Sequence, residues 1–150
     1  MGSKFRANSY IARNSGTVVQ RYRHSYHVMP EIGWCNDPNG FAYYDGKIHL
    51  FYQYNPYSAG WDTMHWGHVT SRDFIKWEYQ PVELAPDMPY DDCGCFSGSA
   101  IEKDGMLYLM YTGVNAEGLQ QQCLAFAWTA FPSKSLSWNP SLQKRTSGRK

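Results

Sequence analysis

The pattern with the clearest chemical potential is Asn36-Asp37-Pro38-Asn39-Gly40, which places a carboxylate in a constrained backbone setting. A residue before proline is driven into an extended conformation, and an Asn-Gly pair favours a tight reversal with positive φ. Asp37 is therefore expected at the entrance of a strand, where its carboxylate could act as a nucleophile. The same residues would also suit an exposed Asx turn without chemistry, so the rest of the chain must decide.

Bulk properties favour one folded domain with a small, uncharged partner. The chain has 150 residues, and its formal net charge of +1 gives no reason to expect a nucleic-acid or membrane partner. Aromatic residues make up 17% of the chain, with 12 Tyr and 6 Trp. Such side chains combine large apolar faces with a polar handle, as sugar-binding surfaces require. We expect a small carbohydrate substrate and no cofactor.

No apolar run suited to a secretory signal or a membrane span follows the basic N-terminal stretch, so a cytoplasmic location is predicted. Four cysteines without paired C-x2-C spacing are expected to be free thiols. The pair His65 and His68 could suggest zinc, but strand residues three apart point to opposite faces. No metal site is predicted.

Strand-like alternation dominates the middle of the chain, at residues 47–54 and 106–111, and each run follows an Asp-Gly pair. Asp45-Gly46 and Asp104-Gly105 predict two hairpins whose turns have positive φ. The two units repeat at a constant offset of 59 residues. Further strands are predicted at 65–70 and 77–79, which would complete a four-stranded unit. The repeat favours an all-β fold of β-propeller blades, with a β-sandwich as the alternative.

The end of the chain differs in composition. All 13 acidic residues lie at or before Glu117, and the last 33 residues are basic. Residues 123–126 still predict a strand. We therefore expect an N-terminal extension at 1–26, propeller blades at 27–126 and an aberrant basic tail at 127–150. A frameshift or truncation would account for the tail.

Four ordered motifs resemble glycoside hydrolase family 32, the invertases and related β-fructofuranosidases. They are Trp34-Cys35-Asn36-Asp37-Pro38-Asn39-Gly40, Phe51-Tyr52-Gln53-Tyr54-Asn55-Pro56, His65-Trp66-Gly67-His68 and Phe96-Ser97-Gly98-Ser99. Cys35 stands where the family usually has methionine. The resemblance implies a five-bladed β-propeller, of which this chain would hold about the first two blades, and retaining hydrolysis of β-fructofuranosyl bonds.

By resemblance, Asp37 is the nucleophile, and Asp37 and Ser97 both precede innermost strands of the propeller. The residues implied to bind the substrate are Trp34, Cys35, Asn36, Gln53, Trp61, Phe96 and Ser97. Retaining hydrolysis also needs an acid/base carboxyl about 5 to 5.5 Å from the nucleophile. The family's Glu-Cys and Arg-Asp-Pro motifs, which carry its other two carboxylates, do not occur in this sequence. Arg72-Asp73 is followed by Phe74, not by proline, so this pair is not interpreted as the Arg-Asp-Pro motif.

These observations predict the N-terminal part of a sucrose or sucrose-6-phosphate hydrolase, inactive on its own. Two alternatives remain open: a carbohydrate-binding fragment without catalysis, and a polyfructan hydrolase or fructosyltransferase of the same family.

Overall fold

The computed structural model describes residues 3–128, which form one α-helix and two antiparallel sheets. The first sheet has the order β1-β2-β3-β4 and the second the order β5-β6-β7, so each is a simple meander. The helix is α1 (Ser3–Asn14), and two short 3-10 turns follow at Ser15–Thr17 and Gln20–Tyr22. The strands are β1 (Trp34–Tyr44), β2 (Lys47–Asn55), β3 (His65–Ser71), β4 (Trp77–Leu84), β5 (Gly94–Lys103), β6 (Met106–Val114) and β7 (Gln120–Trp128).

The two predicted hairpins are confirmed, together with their turn geometry. Asp45 and Gly46 have φ of 48° and 71°, and Asp104 and Gly105 have φ of 54° and 75°. Positive φ at both central positions matches the twist of the flanking strands, so these turns direct the pairing of β1 with β2 and of β5 with β6. The 59-residue repeat is therefore structural.

Asp37 and Ser97 were expected before their strands, and this expectation is wrong, because both lie inside them. In β1 the pairing with β2 passes from Asn36 directly to Pro38, which leaves Asp37 as an extra, unpaired residue. In β5 the pairing with β6 skips Ser97 in the same way. Each residue thus occupies a β-bulge, which re-aims a side chain without ending the strand.

The tight reversal expected at Asn39-Gly40 does not occur either. Gly40 has the positive φ predicted for it, 50°, but β1 continues to Tyr44. A Cβ at Gly40 would lie 2.8 Å from the Phe51 ring and 3.1 Å from the Trp66 ring. Glycine is needed here because β1 passes close to buried aromatic rings, with a second irregularity in the β1–β2 pairing.

The main core lies between the two sheets. Phe51 and Trp66 of the first sheet are fully buried. Leu107 and Leu109 of the second sheet are also buried, with at most 1% of their surface exposed. Side chains of one sheet face therefore fill the space against the other, which fixes how β1 lies beside β5.

The other face of the first sheet is covered by α1, an element that the sequence did not predict. Ala7 of the helix is fully buried and packs in a cluster with Val69 and Val82. The Asn8 side chain accepts the Val82 N–H on the edge strand β4, at 2.8 Å. The first helical N–H groups, those of Ser3 and Lys4, bond to the Asp87 carboxylate. Because this capping residue is more than 80 positions away, no local signal could predict the helix start.

All four cysteines are free thiols, as expected. The predicted strand at 123–126 is confirmed within β7. Residues 129–150, which hold most of the predicted tail, lie outside the described residues. The proposed division at 26 and 126 stays a prediction.

Candidate active site

The centre of the candidate site is a hydrogen bond between the two bulges. Ser97 Oγ donates to Asp37 Oδ2 at 2.9 Å, although 60 residues separate them. Both side chains are exposed, so a ligand can reach them. The Ser97 hydroxyl lowers the pKa of Asp37 below its usual value, because it stabilises the charged form. The Asp37 carboxylate is therefore kept ionised, as a nucleophile requires.

Asn36 supports the same carboxylate from within β1. Its Oδ1 accepts the indole N–H of Trp34 at 2.9 Å, which fixes the orientation of the amide. The amide group of Asn36 also lowers the pKa of Asp37. Its effect is smaller than that of Ser97 and larger than that of the Asp37 backbone. Trp34, Asn36 and Asp37 therefore form one polar unit on the first strand.

Gln53 lies across from Asn36 on β2 and is buried, with 3% of its surface exposed. Its Nε2 donates to the Cys95 carbonyl on β5 at 2.9 Å. The amide thus joins the two sheets immediately before Phe96 and Ser97. Direct contact of Gln53 with a substrate stays a prediction.

Two aromatic residues lie at the same end of the sheets. The rings of Trp61 and Phe96 meet edge to face, with centroids 6.0 Å apart. Trp61 is 61% exposed, which leaves most of its surface free to contact a ligand.

Cys35 is placed differently from the other predicted site residues. Its half-buried side chain packs against the cluster beneath α1, with Tyr52 and Tyr54, on the face away from the second sheet. Burial raises the pKa of the thiol. Within residues 3–128, no hydrogen bond joins Cys35 to Asp37. Its role in substrate binding stays a prediction.

Two residues that the sequence analysis did not select also hold this region together. Asn39 Oδ1 accepts the Gly98 N–H at 3.3 Å, and Trp66 Nε1 donates to the Phe96 carbonyl at 3.2 Å. Both lie in motifs that were noted, but their partners are far away in sequence. These long-range hydrogen bonds, together with exposures of only 4% and 0%, identify them as structural elements of the site.

Asp73 shows that a lowered pKa does not by itself identify a nucleophile. Its pKa is lowered chiefly by the backbone N–H groups of Lys76 and Ile75, which its Oδ1 accepts at 2.8 and 2.9 Å. The carboxylate therefore stabilises the β3–β4 turn, at a distance along the sheet from the bulges. Asp37, by contrast, is held by side chains from two sheets.

The two histidines of β3, His65 and His68, are buried. His65 Nδ1 contacts the Thr63 carbonyl at 3.1 Å, while His68 Nε2 contacts His49 Nδ1 at 3.0 Å. Within residues 3–128, no group of three or more His, Cys, Asp or Glu side chains is arranged to hold a metal ion.

Comparison with known proteins identifies the class and then the family. The two meanders with adjacent first strands match β-propeller structures. A Bombyx mori GH32 β-fructofuranosidase superposes with a TM-score of 0.79 at 39% identity, covering 95% of this chain and 30% of that one. A mutant of that enzyme in complex with sucrose gives a TM-score of 0.75 at 43% identity, covering 83% and 27%.

The sequence matches the glycosyl hydrolases family 32 N-terminal domain over residues 27–146, and the chain belongs to this family. A sucrose-6-phosphate hydrolase from Zymomonas mobilis is 53% identical over 88 residues, covering 59% of this chain and 17% of the relative. A levanase from Bacillus subtilis is 40% identical over 151 aligned positions, covering 89% and 22%. The chain thus spans about a fifth of the length of these curated relatives.

Proposed function

We propose that this chain forms the N-terminal part of the catalytic domain of a retaining β-fructofuranosidase, with Asp37 as its nucleophile. The observation that carries the proposal is the hydrogen bond from Ser97 Oγ to Asp37 Oδ2 across two sheets. It keeps an exposed carboxylate ionised and oriented at a point where ring faces and amide groups also meet. Family membership supports the same assignment.

In the proposed reaction, an Asp37 oxygen attacks the anomeric carbon of the fructosyl group while the bond to the leaving oxygen breaks. The leaving oxygen takes a proton from a second carboxyl group, and water then hydrolyses the fructosyl ester, returning Asp37 to its ionised form. This sequence holds no Glu-Cys or Arg-Asp-Pro motif, so the acid/base role is assigned to none of its residues. The chain supplies the nucleophile's side of the site.

The proposed substrate class is a β-fructofuranoside such as sucrose or sucrose-6-phosphate. The polar and aromatic groups around Asp37 suit a sugar with several hydroxyls and one apolar face. Among the relatives, one name specifies sucrose-6-phosphate hydrolase and another levanase, so a polyfructan substrate is the alternative within the family.

A cytoplasmic location stays a prediction. One relative is named as a vacuolar acid β-fructofuranosidase, so relatives differ in this respect. No helix within residues 3–128 has the length and apolar character needed to cross a membrane.

The nucleophile can be tested without an acid partner. β-Fructosyl fluoride has a leaving group that departs without protonation, so attack by Asp37 requires only the carboxylate. We expect mass spectrometry to find one fructosyl group esterified to the peptide that contains Asp37. Asp37→Asn should abolish the adduct and slow fluoride release by about 10⁴-fold.

Asp73→Asn is the matched control, because it removes another exposed carboxylate with a lowered pKa. That variant should form the adduct at the rate of the unmodified chain. An adduct on a different residue, or equal rates for both variants, would contradict the assignment of Asp37.

A second candidate function is sugar binding without turnover, favoured by the absence of both other carboxylate motifs. Calorimetry with fructose and sucrose distinguishes the two. Binding with no fructosyl ester from β-fructosyl fluoride would support the binding module and exclude the nucleophile role.

A further inference from the structure

One short segment of β5 is held by buried side chains of the first sheet. This bulge segment, residues 95–98, contains Ser97. Gln53 binds the Cys95 carbonyl, Trp66 binds the Phe96 carbonyl, and Asn39 binds the Gly98 N–H. All three side chains are at least 96% buried. The backbone on each side of Ser97 is therefore fixed from the opposite sheet.

Ser97 itself depends on this support. It is the unpaired residue of the bulge, so no strand pairing with β6 orients it. Its neighbour Gly98 lies so close to β6 that an added Cβ would be 1.9 Å from the Met110 carbonyl oxygen, so only glycine fits there. The remaining freedom of the backbone after Ser97 is limited by the hydrogen bond from Gly98 to Asn39.

Asn39 has a feature that packing or stability does not explain. Its Oδ1 accepts the Gly98 N–H, but its Nδ2 is buried and has no hydrogen-bond partner within residues 3–128. An unsatisfied buried donor costs about 1–3 kcal/mol. A side chain retained at such a cost is expected where it serves the geometry of a site.

We propose that Asn39 is a positioning residue, which holds the bulge segment so that Ser97 Oγ meets Asp37 Oδ2. Asn39 follows Asp37 by two positions on β1, and Gly98 directly follows Ser97 on β5. Two hydrogen bonds, side by side, therefore clamp one bulge to the other. Asn39 acts on the carboxylate through Ser97, and its catalytic consequence rests on the proposed role of Asp37 as nucleophile.

The clamp is tested by titrating Asp37 in the full chain, with the carboxyl carbon observed by NMR. In Asn39→Ala, the Asp37 midpoint should rise toward the ordinary carboxyl value, because the Ser97 hydroxyl no longer stays in place. Asn8→Ala is the matched control, since its Oδ1 also accepts a backbone N–H from a distant strand, at 2.8 Å. That control should leave the Asp37 midpoint unchanged.

Ser97→Ala completes a double-mutant cycle. If Asn39 acts through Ser97, Asn39→Ala has no additional effect on the midpoint once Ser97 is alanine. An unchanged midpoint in Asn39→Ala, or a rise that persists fully in the Ser97→Ala background, would overturn the proposal. If Asn39→Ala does not fold, Asn39→Ser is evaluated by the same criteria, because its smaller truncation leaves a hydroxyl at this position.

Kinetics with β-fructosyl fluoride separate this inference from the proposed function. Loss of the clamp should slow fluoride release by about 10- to 100-fold with little change in KM, as expected for a misplaced reacting group. If the chain releases no fluoride, the proposed function fails, yet the titration cycle still decides whether Asn39 positions Ser97. An unshifted midpoint with normal fluoride release would refute the clamp alone.

Discussion

Replacing Tyr111 with phenylalanine removes one oxygen atom from the core between the two sheets. Tyr111 Oη donates to Asp91 Oδ2 at 2.7 Å, and both residues are at least 98% buried. The other Asp91 oxygen accepts the Met88 N–H at 2.9 Å. Without the hydroxyl, the remaining partner of Asp91 Oδ2 in the described part of the chain is the Cys95 thiol, at 3.8 Å.

The size of the effect follows from the charge of Asp91. A hydrogen bond to a charged group contributes about 1.5–3 kcal/mol, so we expect Tyr111→Phe to lower the free energy of unfolding by this amount at a pH where Asp91 is ionised. For a folded unit of the size of residues 3–128, that corresponds to a fall in Tm of about 5–12 °C. Burial raises the pKa of Asp91. At a pH low enough to protonate it, the loss should shrink to about 0.5–1.5 kcal/mol.

Urea unfolding followed by tryptophan fluorescence measures the difference. Tyr108→Phe is the matched control on the same strand, because Tyr108 Oη makes a weak contact with Met106 Sδ, at 3.9 Å, and does not bond to a buried carboxylate. The control should stay within about 0.5 kcal/mol of the unmodified chain. Equal losses for the two variants, or no dependence of the Tyr111→Phe loss on pH, would refute the reasoning.

Two further predictions concern glycine and buried charge. Gly98→Ala should lower the free energy of unfolding by more than about 3 kcal/mol, because the added Cβ would lie 1.9 Å from the Met110 carbonyl oxygen. Gly16→Ala is the control and should be neutral in the same unfolding assay, since an added Cβ there has nothing within 4 Å. Burial lowers the pKa of His68 and raises that of Glu83. The His68 contribution to stability is present above the ordinary value of 6.5 and is lost as the pH falls through the lower folded pKa. The Glu83 contribution is present below the ordinary value of 4.5 and is lost as the pH rises through the higher folded pKa. Glu83→Gln should therefore gain stability relative to the unmodified chain as the pH rises, and a constant difference from pH 4 to 8 would contradict this.

Local sequence predicted the elements whose geometry is determined by neighbouring residues. The Asp-Gly turns and the strands they join have the predicted positions, because positive φ and period-two alternation are local properties. The helix α1 was missed, since its start is capped by Asp87 and its buried face is defined by β4.

The candidate site was predicted in its members but not in its connections. Asp37 and Ser97 were identified by family motifs, yet their placement in bulges was not expected. A bulge depends on the pairing register of two strands, which a single motif does not encode. Asn39 and Trp66 were passed over for a similar reason, because their hydrogen-bond partners lie in the other sheet.

By itself, the sequence determined the hairpins, the 59-residue repeat and the carboxylate within Asn-Asp-Pro-Asn-Gly, all of which depend on residues close together in the chain. The tertiary structure alone decided which group meets that carboxylate. Ser97 reaches Asp37 across 60 residues because two bulges and the packed faces of two sheets bring β1 beside β5. Contacts of this kind depend on packing between sheets, and no local pattern specifies them.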